Sequence, residues 1–257
     1  MDALAGLCRN QHGIFRGKGQ TVLNLGFDGG KWLTGGADLV FAEPRLLSIT
    51  ALGEGLELPV EDGTLRLATK VAGSGGLVKT GAGTLLVDPQ EANDGTTATP
   101  LDDPLTLACT GVNRIEGGTL RIGAAEAVAD AAKLAVANGA TLDLNGETLT
   151  GVRLSGGGTV TGGTLNAAVV AVAAAGAAED QPLFDNVVFT GRTSFDVSAL
   201  PPVESDRTVV VARYAGTAPS TAGWRVRGQR NVGATFEASE GEVRATLSPV
   251  GIVLIVR

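Results

Sequence analysis

The sequence predicts an all-β chain, a right-handed parallel β-helix (β-solenoid) with a β-rich C-terminal cap. Three observations predict it. A short phrase of Gly, Thr and an aliphatic residue recurs, its copies fall at intervals clustering near 20 residues, and the composition changes toward the C-terminus. Stacked coils of about that size are what a repeat array needs, because each short strand can bury its apolar face only against the next coil.

The composition agrees. Of 257 residues, 38 are Gly and only ten are aromatic (seven Phe, two Trp, one Tyr), yet 44% are hydrophobic and 18% charged. Disorder through high charge and low hydrophobicity is excluded. The glycines follow no every-third-residue period, which excludes collagen. Net charge is −7, so nucleic acid is not an expected partner, since such binding rests on cations neutralising phosphates. The charge is uneven: residues 1–70 carry 7 basic and 8 acidic side chains, 71–185 carry 5 and 13, and 186–257 carry 8 and 6. This shift places a compositional boundary near residue 185.

Residues 1–60 read as N-terminal β coils or a cap. Strand-like pieces at 21–27, 32–33, 38–41, 46–52 and 56–60 are separated by Gly, Asp and Pro, and their spacing favours coils.

Residues 61–185 carry the β-solenoid repeats. The phrase begins as Gly63-Thr64-Leu65-Arg66-Leu67. It recurs as Gly83-Thr84-Leu85-Leu86-Val87, Gly118-Thr119-Leu120-Arg121-Ile122, Ala140-Thr141-Leu142-Asp143-Leu144 and Gly158-Thr159-Val160. The threonines at 64, 84, 119, 141 and 159 lie 20, 35, 22 and 18 residues apart. The long interval coincides with residues 88–104, a Pro- and Asp-rich stretch that reads as an insertion. Alternation along each phrase sends Leu65, Leu67, Leu85, Val87, Leu120, Ile122, Leu142, Leu144, Val160 and Leu165 inward and Thr, Arg or Asp outward. Residues 124–134, rich in Ala and Glu, could form a short helix between coils.

Residues 73–85, Gly-Ser-Gly-Gly-Leu-Val-Lys-Thr-Gly-Ala-Gly-Thr-Leu, resemble the signature of autotransporter-associated β-strand repeats. Residues 109–122 are similar but degraded, and 138–146 and 154–160 fit that family's downstream coils. The resemblance covers roughly 61–166. It implies a passenger-type β-helix: a structural stalk or adhesin-like segment of a bacterial surface or secreted protein. Residues 1–8 show no basic stretch leading into an apolar one, so no signal peptide is read. No series of roughly ten-residue alternating barrel strands is read either. The chain is thus expected to be part of a larger surface protein. The longest apolar run, 167–178, is too short to span a bilayer, and no membrane insertion is expected.

Residues 186–257 read as a C-terminal β-rich cap or small β domain. Aromatic residues gather at Phe184, Phe189, Phe195, Tyr214, Trp224 and Phe236. Antiparallel strands are expected at 208–214, 225–227, 243–247 and 252–256. The open end of a solenoid would otherwise expose strand edges and an apolar interior.

No catalytic, cofactor-binding or metal-ligating residues are assigned, and no enzyme is expected. Cys8 and Cys109 are too sparse for a disulfide framework, and His12 is the single histidine. Asp88, Glu91, Asp94, Asp102 and Asp103 suit a solvated loop better than a Ca²⁺ site. One ligand contact is conceivable: Trp224 with Arg225 and Arg227, whose alternation puts both guanidinium groups on one face for an anionic glycan. Expected partners are surface glycans or other copies of the chain. The rival to the stalk is a glycan-binding or polysaccharide-active β-helix.

Overall fold

The computed structural model describes residues 23–31, 47–67, 70–89, 106–174 and 177–250. The expected pieces at 32–33 and 38–41, the strand at 252–256, Cys8, His12, Glu91, Asp94, Asp102 and Asp103 lie outside them.

The described chain is all-β, with long parallel sheets compatible with a β-solenoid. Strand β1 (Leu23–Lys31) runs parallel to β2 (Leu47–Pro59). Short strands follow: β3 (Thr64–Leu67), β4 (Val71–Gly73), β5 (Leu77–Thr80), β6 (Thr84–Val87), β7 (Leu107–Cys109), β8 (Val112–Ile115) and β9 (Thr119–Ile122). Then come β10 (Lys133–Val136), β11 (Thr141–Asp143), β12 (Thr148–Thr150), β13 (Arg153–Ser155), β14 (Thr159–Asn166) and β15 (Val169–Ala171). The chain ends in β16 (Leu183–Thr190), β17 (Ser194–Asp196), β18 (Arg207–Ala215), β19 (Arg225–Arg227), β20 (Val232–Ser239) and β21 (Glu242–Pro249).

The pairings resolve into three ladders. In the first, the start of β2 pairs with β4 and β4 with β7, and Leu107 bridges to Val128; strand pairing is interrupted there by the 3-10 turn, and β12, the end of β14 and the end of β16 pair in turn beyond it. The second runs through the end of β2, then β5, β8, β10, β13, β15, β17 and β19. The third runs β3, β6, β9, β11, the start of β14, the start of β16 and the end of β18. Long strands serve two ladders by turning in the middle, where Gly53, Gly162 and Asn186 have positive φ.

Register stacks like on like. Leu65, Leu85, Leu120, Leu142 and Val160 are successive partners in the third ladder, as are Leu67, Val87 and Ile122. All ten residues expected to point inward are buried. Burying each such side chain contributes about 1.5–3 kcal/mol. β6 and β9 pair residue for residue although 35 positions separate their threonines, so the longer segment between them leaves the register intact.

Glycine placement shows how tightly the corners close. Gly156 has φ +91°, and a Cβ there would run into the Val136 carbonyl of the preceding coil; Gly139, at φ +83°, has open space instead. The helix considered at 124–134 is a 3-10 turn, Ala125–Ala127, followed by β10. Ala propensity yields there to the pull of the second ladder, which takes up Lys133–Val136 as a strand.

Parallel pairing does not stop at Asp185. β16 spans that position, and β17, β19 and the end of β18 remain parallel partners of the coils before them. The expected antiparallel arrangement holds for β18, β21 and β20 but not for Arg225–Arg227, which is β19. The aromatic residues continue the aliphatic columns: Phe184 pairs with Val160, Phe189 with Leu165 and Phe195 with Val170, one on each ladder. Phe184 and Phe189 meet edge to face at 4.9 Å, and Trp224 and Phe236 lie against Phe195 at 4.9 and 5.4 Å. Rings thus fill the interior where the last full coil ends, and such pairs add about 0.5–1.5 kcal/mol each beyond burial.

Candidate functional site

The three ladders present different outer faces. On the first, β12, β14 and β16 present uncharged rows, Thr148, Thr164 and Val188 in one and Thr150, Asn166 and Thr190 in the next. Asn166 Nδ2 donates to Thr150 Oγ1 at 3.4 Å and Thr190 Oγ1 donates to Asn166 Oδ1 at 3.3 Å, so the second row is tied coil to coil. A shallow groove of about 490 Å³ opens where the 3-10 turn replaces a strand, lined by Glu126, Asp130, Thr148 and Thr150 among others.

The third face carries Thr64, Thr84, Thr119, Thr141 and Thr159 in one unbroken row. Beside it, ion pairs neutralise the charges: Arg66 Nη2 lies 3.0 Å from Asp88 Oδ2, and Arg121 Nε lies 2.7 Å from Asp143 Oδ2.

The second face is basic. Arg114, Lys133, Arg153, Arg225 and Arg227 all point outward from it and are exposed. Lys133 Nζ donates to the Thr110 carbonyl at 3.1 Å. Arg225 Nε donates to Ser194 Oγ at 3.0 Å, while Arg227 Nε lies 3.5 Å from Asp196 Oδ2.

Of the three residues singled out in the sequence, the fold brings Arg225 and Arg227 to one face, as alternation requires. Trp224 goes elsewhere. It is 8% exposed and sits among Phe189, Phe195 and Phe236, so its ring is used in packing and not as a stacking surface beside the arginines. The sequence reading missed Lys133 and Arg153; the signal was their spacing of 20 residues, one coil, at the same position of their strands.

Two polar side chains interrupt the inward columns of the second ladder. Lys79 stands between Leu58 and Ile115 and is fully buried. Its ammonium donates to the carbonyls of Thr80, Gly81 and Gly117 at 2.8, 2.9 and 3.1 Å, tying adjacent coils at their corner. Burial pushes this lysine down to about 8, with Glu61 acting in the opposite sense. Asn113 stands between Leu77 and Leu134. Its Oδ1 accepts from the Leu77 amide at 3.0 Å and its Nδ2 donates to the Lys133 carbonyl at 3.3 Å. The lysine uses all three of its ammonium donors, and the asparagine uses both its amide oxygen and its amide nitrogen, which would otherwise be costly to bury.

Cys109 is a buried free thiol whose burial pushes it up to about 11, which disfavours the reactive thiolate. Among the described residues no group of three or more His, Cys, Asp and Glu side chains is placed to hold a metal ion, and no helix is long and apolar enough to cross a membrane. Compared with known proteins, the chain matches no family model, no curated protein and no solved structure.

Proposed function

We propose that this chain is a non-enzymatic stalk or adhesin-like segment of a bacterial surface or secreted protein, a right-handed parallel β-helix capped by its C-terminal β-rich region. The observation that carries the reading is the register: residues one coil apart are direct parallel partners along all three ladders. A stack of this kind extends by adding identical units, which suits a part whose task is reach. The resemblance of residues 61–166 to autotransporter-associated repeats supports the surface location.

The test is topological. Antibodies raised against the chain should label intact cells of the producing bacterium, and external protease should remove the signal. Labelling that requires permeabilised cells would overturn the reading. Incubation with acidic and neutral polysaccharides should leave their chain lengths unchanged; release of shorter products would favour the polysaccharide-active rival.

A further inference from the structure

The second ladder holds an uncompensated row of cations. Its outward positions from β8 to β19 are Val112, Lys133, Arg153, Val169, Ser194 and Arg225, in register strand by strand. Lys133 and Arg153 are direct partners, so two positive side chains face each other across one strand spacing of about 4.8 Å. Like charges directly opposite destabilise a sheet. Arg225 lies three strands further on, about 14 Å along the stack.

None of these three forms an ion pair among the described residues, whereas Arg114 and Arg227 in the neighbouring row are met by Glu116 and Asp196. The imbalance is local, because the chain as a whole is acidic at −7. Beside the row lie Ala135 and Ser155, register partners with small side chains, and Ala171 on the next strand, before Asp196 follows, so the floor beside Lys133 and Arg153 is low.

We propose that Lys133, Arg153 and Arg225 form a binding strip for a linear acidic polysaccharide laid along the stack. Guanidinium groups match carboxylates two hydrogen bonds at a time, and a row of cations on a low floor admits an extended chain without a pocket. Nucleic acid fits less well. The row offers a few separate cations rather than the dense basic surface that neutralising a phosphate backbone needs, and Trp224, which could stack a base, is packed inside. The inference stands on the register of one ladder and does not require the stalk reading.

The test is titration of the full chain with polygalacturonate, neutral dextran and a short DNA duplex at two salt concentrations. The wild type should bind polygalacturonate, more weakly as salt rises, and should ignore dextran. The double variant Lys133→Gln/Arg153→Gln should lose about tenfold or more in affinity with no fall in melting temperature. A control, Arg121→Gln on the third face, should bind like the wild type. The proposal is overturned by absence of polygalacturonate binding, by equal binding of the double variant, by equal loss in the control, or by tighter binding of the duplex.

Discussion

The parallel-paired strands from β2 to β16 and the antiparallel strands β18, β21 and β20 solve the same problem with different sequence material. In the coils, a residue meets its own counterpart one turn later, so leucine stacks on leucine and threonine on threonine. A single short phrase suffices, and no large side chain is needed. In β18, β21 and β20 the strands reverse, and Val209 meets Ala245 while Phe236 meets the same Ala245 from the other side. Reversal sets the two strands in opposite sequence order, so apart from the threonine row Thr208–Thr246–Thr235 it pairs unlike residues and no phrase repeats. The difference teaches that a sequence advertises a repeating fold only where the fold repeats, and that its end must be built from residues that occur once.

The largest expected effect comes from removing the end. A chain cut after Arg227 loses β20 and β21, which uncovers Val211, Phe195 and Trp224, all buried in the intact protein. It should aggregate or self-associate, as size-exclusion chromatography would read. A soluble, monomeric 1–227 fragment would break the comparison by showing that the coils need no cover.

Leu142→Asp should cost several kcal/mol in denaturant unfolding, because it places an unpaired carboxylate between Leu120 and Val160. A change below 1 kcal/mol would contradict the columnar core.

Two glycines sharpen the account of the coils. Gly156→Ala should destabilise by more than about 2 kcal/mol, since strain at positive φ adds to a clash with the Val136 carbonyl. Gly139→Ala carries the positive φ alone and should cost about 1 kcal/mol. Equal losses would mean that the close approach of coils at Gly156 is not a constraint.

Lys79 predicts a pH dependence. Its folded value of about 8 lies below the ordinary 10.5. Between the two, the unfolded chain keeps a proton that the folded chain has released, so this contribution to stability rises with pH from about 8 to 10.5. Below about 8 the cost of the buried charge is present in full. Melting temperatures of the wild type and Lys79→Met across that window should diverge, the variant lacking the rise. Parallel curves would mean that Lys79 does not titrate there.

The smallest effect is expected for deletion of residues 91–99. Because β6 and β9 pair residue for residue on either side of this segment, removing part of it should change the melting temperature little. A large fall would make the segment a coil in its own right.

Much of this was legible in the sequence. The ten inward residues followed from alternation within a phrase that recurs near every 20 positions, since stacking forces identical parity in each coil. The first and second ladders were harder to see. Strands such as Arg153–Ser155 and Val169–Ala171 are three residues long and share no phrase, because their outer faces vary and the inward column itself admits Lys79 and Asn113. Lys79 falls inside the 73–85 signature, and its burial depends on three carbonyls that no local pattern displays, one of them 38 residues away. Trp224 stands beside Arg225 and Arg227 in the sequence, yet strand alternation turns adjacent side chains to opposite sides.

The ring layer at the end of the last full coil also gives the molecule an optical handle. Trp224 is enclosed by Phe189, Phe195 and Phe236, and an indole shielded from water emits at shorter wavelength than one that is wetted. The sequence holds one other tryptophan, Trp32. With Trp32 replaced by Phe, the colour of the remaining emission reports whether the C-terminal strands are seated, while far-ultraviolet dichroism follows the coils. Detachment of the end and collapse of the stack thereby become separable events in one melting experiment.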